Sequence, residues 1–246
     1  MSVVTENVTI HVGDQQMGGY LARPKGEETL PAVLVFMEIF GVNDHIQDVT
    51  RRVAELGYVA LAPDYFHRTA PGMQGAYDEA GMAEGMKHLG QLKADEMVAD
   101  AQASLDYLRA RGDVKGEHIG AMGFCIGGHM TYLTAASTGV KAAASFYGGG
   151  IAGPQGPGGG TPTVEKTAGI SGRILCLFGG QDTMIPEDQV SAIRDALEKA
   201  GTNHEVVVYP EADHGFFCDK RPTHNADAAA DAWQRVQGLF ASELGG

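Results

Sequence analysis

Apolar residues along the chain fall into two alternating kinds of segment. Short, nearly unbroken apolar runs at 32–37, 58–62, 118–122, 142–147, 174–178 and 205–209 are each closed by Gly, Pro or an acidic residue. Runs of this length predict strands buried on both faces, as in a parallel sheet. Between them, apolar residues recur three and four apart: Ile46, Val49, Val53 and Leu56 up to Gly57; Val98, Ala101, Leu105 and Leu108 before Gly112; Val190, Ile193 and Leu197 between Pro186 and Gly201; and Trp233, Val236 and Phe240 near the end. These predict amphipathic helices. Earlier, runs at 8–12 and 17–22 flank Gly13-Asp14-Gln15-Gln16 and predict an opening hairpin. The alternation predicts one α/β domain over 1–246: a mostly parallel, doubly wound sheet with helices on both faces and an N-terminal hairpin. Sites in such sheets lie beyond the carboxyl ends of the strands. Two stretches depart from the pattern, 63–90 and the glycine-rich 148–160, and the second is expected to be a mobile loop. No repeat suggests a solenoid or propeller.

Composition narrows the function classes. The 246 residues carry 31 acidic and 18 basic side chains, a net charge of −13, so nucleic acid and anionic membranes are not expected partners. The first ten residues lack the basic flank and apolar stretch of a signal peptide, and no apolar run is long enough to span a bilayer. A cytoplasmic protein, monomeric or a small homo-oligomer, is the expectation. Cys125, Cys176 and Cys218 are too few and too irregularly spaced for a disulfide framework or a zinc or redox pair. His45, His129 and His224 sit in no ligand spacing, neither G-x-G-x-x-G nor a Walker motif occurs, and neither metal nor cofactor is expected.

The sharpest chemical signal is Gly123-Phe124-Cys125-Ile126-Gly127-Gly128, between a predicted strand and a helix running to about Ser137. G-x-C-x-G-G is the nucleophile-elbow pattern with cysteine in place of serine. Small residues around the apex are needed because the turn brings strand and helix into contact, and the helix N-terminus above the sheet favours thiolate. Asp182 follows the predicted strand 174–178, and His214 follows 205–209. Nucleophile, acid, histidine is the chain order of α/β-hydrolases. In the chemistry this order serves, histidine takes the cysteine proton, the acid holds the imidazole, and the thiolate attacks an ester carbonyl to form a thioester. Backbone N–H groups of Ile126 and Ile39 are the expected oxyanion donors.

With Met37-Glu38-Ile39-Phe40-Gly41-Val42-Asn43, Pro63-Asp64, the cysteine elbow, Gly179-Gly180-Gln181-Asp182 and Ala212-Asp213-His214-Gly215-Phe216, the chain resembles the dienelactone hydrolase family, the carboxymethylenebutenolidase-like branch of the α/β-hydrolases. The resemblance runs from about Val8 to Phe240. It implies an α/β-hydrolase fold, a Cys125–His214–Asp182 triad without cofactor, and hydrolysis of small esters or lactones. It also implies that Glu38 is a fourth functional residue, holding the resting thiol neutral and accepting its proton when substrate enters.

The family's dienelactone-cleaving members hold a substrate carboxylate with arginines, and here the pattern departs. Cys218 stands four residues after His214, and 69–92 contains no arginine and only Lys87. Lys220 and Arg221 are candidates for that task but are expected to be exposed. Met73, Tyr77, Met82 and Met86 suggest a more apolar lid, and Tyr77, Met82, Phe216 and Arg221 are the expected substrate contacts. Two other readings of the chain are a thiol-based redox sensor using Cys125 and a noncatalytic binding module on the same fold.

Overall fold

The computed structural model describes residues 2–26 and 28–245. Eight strands form one sheet: β1 (Val3–Val12), β2 (Gln15–Pro24), β3 (Leu30–Phe36), β4 (Val59–Pro63), β5 (Val114–Phe124), β6 (Ala142–Phe146), β7 (Arg173–Gly179) and β8 (His204–Tyr209), in the order β1-β2-β4-β3-β5-β6-β7-β8. β1 and β2 pair antiparallel, and β2 joins β4 antiparallel. Every pairing from β4 through β8 is parallel. The hairpin is tighter than its sequence suggests. Val12 pairs with Gln15, leaving a two-residue turn whose first member, Gly13, has φ 56°.

Among the described residues the six α-helices are α1 (Asp44–Glu55), α2 (Glu79–Leu89), α3 (Ala94–Arg109), α4 (Ile126–Thr138), α5 (Glu187–Ala200) and α6 (Ala226–Leu244). Each apolar stripe read from the sequence is buried: Ile46, Val49 and Val53 on α1, Leu105 and Leu108 on α3, Ile193 and Leu197 on α5, Val236 and Phe240 on α6. Arg52 of α1 lies over the Trp233 ring of α6 at 4.5 Å, so these two helices meet, while α3 and α4 pack against each other. Covered on both sides, the middle of the sheet is apolar, and β3 is fully buried from Ala32 to Phe36.

The segment 63–90, which gave no clear periodicity, holds α2 and a loop pinned by Asp64, whose carboxylate accepts from the N–H groups of Phe66 and Gly72. The glycine-rich 148–160 segment is anchored rather than free. Ile151 is fully buried, its carbonyl accepts from Val164 N, and the Gly149 carbonyl accepts from His129. Because β3, β5, β6, β7 and β8 run parallel, the segments that follow them emerge at one edge of the sheet. Those segments carry Glu38, Cys125, Tyr147, Asp182 and His214.

Candidate active site

Cys125 sits between the last residue of β5 and the first of α4, with φ 57° and ψ −119°. A non-glycine residue held there is strained, and the surroundings must fix it. Cys125 N donates to the Phe146 carbonyl at 3.1 Å, and the Cys125 carbonyl accepts from His129 N at 3.1 Å. The glycines are there because backbone comes too close for a side chain. A Cβ at Gly123 would overlap the Gly127 carbonyl, and one at Gly127 would overlap the Phe36 and Met37 carbonyls. Of the three cysteines, Cys125 alone is partly exposed; Cys176 and Cys218 are buried, and burial pushes their thiols up to about 12 and about 11.

Asp182 and His214 come from the loops after β7 and β8, which are tied together by Gln181 N donating to the Ala212 carbonyl at 2.9 Å. His214 Nδ1 donates to Asp182 Oδ2 at 2.7 Å, and Asp182 Oδ1 accepts from Met184 N at 2.9 Å. Both oxygens of this buried carboxylate are thus occupied, which fixes the imidazole's tautomer and orientation. Nε2 of His214 has no strict hydrogen-bond partner and faces the Cys125 thiol closely enough to interact with it. Burial opposes the imidazolium, but Asp182 and then Cys125 outweigh it and raise His214 to about 10.

Glu38 follows β3 and is fully buried. Its Oε1 accepts from Arg221 Nη1 at 3.1 Å, and its Oε2 is buried without a partner. The backbone before it is fixed by Tyr65, whose hydroxyl donates to the Met37 carbonyl at 2.6 Å. Ile39 is next in this loop. Ile126 opens α4, so its N–H has no acceptor within the helix.

A cavity of about 370 Å³ opens beside Cys125 and His214. Its apolar walls are Leu89, Leu92, Ile126, Pro157 and Met184, and the rest is glycine backbone, Gln155 and His129. Apart from histidine, no ionisable side chain but the thiol lines it. His129, one helical turn past Cys125, holds the glycine-rich wall: Nδ1 donates to the Gly149 carbonyl at 2.8 Å, and Nε2 accepts from Thr163 Oγ1 at 2.7 Å. Burial lowers His129 to about 4, which keeps it neutral and suited to both bonds.

None of the four expected substrate contacts lines this cavity. Phe216 is fully buried against Tyr147 and Tyr209, at centroid distances of 5.3 and 5.2 Å, and does not reach the cavity. Tyr77 packs on Phe40 at 4.5 Å away from it, and Met82 and Met86 stand exposed on α2. Met73 lines a separate cleft near Gly72 and Gln74. Arg221 was expected to be exposed, yet its side chain is 14% exposed and paired with Glu38, while Lys220 is exposed as expected. Room for that pairing comes from Gly215, at φ 81°, where a Cβ would overlap the Arg221 guanidinium. Arg68 is engaged elsewhere, donating twice to Asp100.

Sequence reading gave no role in the site to two residues found here. Tyr147 continues past β6 with φ 36°, fully buried, its ring edge-on to His214 at 5.1 Å. Burial and then Glu38 keep its phenol protonated. The one signal for it was its place at a strand end. His129 could have been found from its four-residue spacing from Cys125, which puts both on one face of the chain's turn into α4.

Residues 17–244 match the model of the dienelactone hydrolase family. The chain belongs to the dienelactone hydrolase family. A protein of Synechocystis sp., named provisionally as a carboxymethylenebutenolidase, is 46% identical over 245 residues, covering 99% of each chain. One of Escherichia coli K12 with the same provisional name is 36% identical over 246 residues, covering 97% of this chain and 87% of the other. Among solved structures, a dienelactone hydrolase of Klebsiella pneumoniae, itself a provisional assignment, superposes with TM-score 0.89 at 33% identity, covering 98% and 99%. A dienelactone hydrolase-like promiscuous phosphotriesterase from metagenomic libraries gives 0.81 at 26% identity over the whole of both chains. The mostly parallel sheet with helices on both faces is the fold of these neighbours, and the expected enzyme class, a hydrolase of esters or lactones, follows from family membership. Among the described residues, no helix is long and apolar enough to cross a membrane.

Proposed function

We propose that this dienelactone hydrolase-family protein cleaves small, uncharged esters or lactones with Cys125 as nucleophile, through a thioester. The observation that carries this reading is the continuity of one path: Asp182 holds His214 at 2.7 Å, His214 faces the Cys125 thiol, and the thiol opens into the cavity.

In this mechanism the Cys125 proton resides on His214 Nε2, in keeping with the raised pKa of that imidazole, and the thiolate sulfur attacks the carbonyl carbon, whose π pair moves to oxygen. The N–H groups of Ile126 and Ile39 are the proposed donors to that oxyanion. Collapse of the tetrahedral species breaks the bond to the leaving oxygen, which takes the proton from His214 and leaves an acyl-Cys125 thioester. His214 then removes a proton from water, hydroxide adds to the thioester, and collapse breaks the C–S bond, releasing the acid product and restoring the Cys125 thiolate beside protonated His214. Glu38, with Oε2 free of partners, is the second proton acceptor near the thiol, in keeping with the role implied by the family resemblance.

Substrate charge follows from the cavity wall. A carboxylate-bearing substrate would be desolvated against Leu89, Leu92 and Met184 with no lysine or arginine among the lining residues, since Arg221 is engaged by Glu38. A matched panel of p-nitrophenyl esters and enol lactones, each with and without a carboxylate, tests this. Neutral members should have the higher kcat/KM, with KM little changed by salt. Strong preference for the anionic members with marked salt sensitivity would show that Arg221 leaves Glu38 to bind substrate.

A further inference from the structure

Away from the cavity beside Cys125, one group of side chains among the described residues brings together three metal-ligating types. His45, Cys218 and Asp219 each offer a ligand atom within 4.8 Å of the others. His45 is the second residue of α1 and is 4% exposed. Its Nδ1 stands 3.7 Å from Asp219 Oδ1, beyond hydrogen-bond range, and its Nε2 is buried with no partner. A buried imidazole with neither nitrogen hydrogen-bonded is costly, and such a group calls for a ligand. The ring is nonetheless held in place, with Tyr77, Phe124 and Phe217 at 6.1, 6.1 and 6.4 Å in edge contacts. Cys218 is a free, fully buried thiol, and Asp219 is exposed beside it.

We propose that His45, Cys218 and Asp219 bind one borderline-soft divalent cation of the zinc type. An imidazole nitrogen, a thiolate and a carboxylate suit zinc and exclude magnesium and calcium, which take oxygen ligands. On binding, Cys218 gives its proton to solvent, the new S–metal bond forms from the thiolate pair, and the two ligand charges cancel those of the ion. Zinc–sulfur and zinc–nitrogen bonds of about 2.3 and 2.0–2.1 Å in a tetrahedron place ligand atoms about 3.3–3.7 Å apart. The group therefore closes by about 1 Å at its widest, and exposed Asp219 is the member free to move. His45 also lines a cavity of about 500 Å³ together with Asp44, Asp78 and Lys220, which gives the imidazole a route to solvent.

The site is distinct from the triad but shares its loop. Cys218 N donates to the Gly215 carbonyl and Arg221 N to the Cys218 carbonyl, so an ion here braces the turn that carries His214 and Arg221. Positions 45 and 218 are too far apart for any spacing rule to reveal the set.

The test uses the full chain with Cys125→Ala, which removes the one partly exposed thiol, after treatment with chelator. Titration with Co²⁺ alone should give one equivalent per chain with a thiolate-to-cobalt charge-transfer band and the visible bands of a tetrahedral ion, all displaced by Zn²⁺. Adding Cys218→Ser should abolish the charge-transfer band, and Asp219→Asn should weaken binding by about tenfold or more. Zn²⁺ should raise Tm in the Cys125→Ala protein and not in its Cys218→Ser derivative. Cys218→Ser is close in size and keeps the fold, so the comparison does not depend on His45. No charge-transfer band in Cys125→Ala, or one that survives Cys218→Ser, would overturn the proposal.

Discussion

Arg221 donates from Nη1 to Glu38 Oε1 at 3.1 Å across 183 residues of sequence, and this pair stands between the β3 loop and the histidine loop. Glu38 is fully buried, and among the described residues Arg221 is the one side chain that donates to it. Arg221→Ala should destabilise the protein by about 3 kcal/mol, because removing one member of a buried pair leaves the other charge uncompensated. Glu38→Gln combined with Arg221→Gln should cost less than Arg221→Ala alone. Urea denaturation reads both, and a single variant as stable as the parent would show that the pair contributes nothing.

Gly215→Ala tests the same relationship from the backbone. At φ 81° an alanine is strained by about 1–3 kcal/mol, and its Cβ would displace the Arg221 guanidinium from Glu38. Turnover should fall together with stability, and the unliganded reactivity of Cys125 toward iodoacetamide should change. Unchanged thiol reactivity in a folded Gly215→Ala protein would separate Glu38 from the thiol.

His214 gives a pH dependence with a definite sign. Its pKa is raised to about 10 against about 6.5 in an unfolded chain. The stability it contributes is therefore fully present below about pH 6.5 and is lost as pH rises through 10. In Asp182→Asn the imidazole should titrate well below the parent value, since its strongest raising partner is gone and burial remains. NMR titration of His214 is the measurement, and an unchanged pKa in Asp182→Asn would contradict the account.

His129→Ala removes both bonds that hold the glycine-rich wall, to Gly149 and to Thr163. KM should rise several-fold, limited proteolysis should increase within 149–160, and the iodoacetamide reactivity of Cys125 should stay near the parent's. Unaltered KM and proteolysis would mean that the segment is held elsewhere.

What the sequence could reveal was local. The parallel strands β3, β4, β6 and β7 were legible because both faces are buried, so the apolar run itself marks each one; 205–209, read as buried on both faces, is the half-exposed edge strand β8. The convergence of Cys125, Asp182 and His214 was legible because strand ends meet at one edge of such a sheet, and the elbow because its glycine spacing is local in sequence. Arg221 was misread because nothing near it in sequence signals Glu38. Phe216 was misread because an aromatic beside a catalytic-type histidine serves as packing beneath it. Tyr77 and Met82 could not be placed, since the path of 63–90 depends on long-range ties such as Asp64 to Gly72. The glycine-rich segment looked loose because its anchors, His129 and Val164, lie outside it.

The central claim is that Cys125 attacks the substrate, and trapping the covalent species tests it most directly. A slowly deacylating neutral ester, quenched in acid and digested, should give an acyl adduct on the peptide containing Cys125 that hydroxylamine removes. Cys125→Ala should form no adduct and should lose several orders of magnitude in turnover while Tm stays near the parent's. Cys176→Ala, in the buried middle of β7, should keep both the adduct and the rate and lose of order 1 kcal/mol of stability. An adduct on any other residue, or near-parent turnover in Cys125→Ala, would contradict the account.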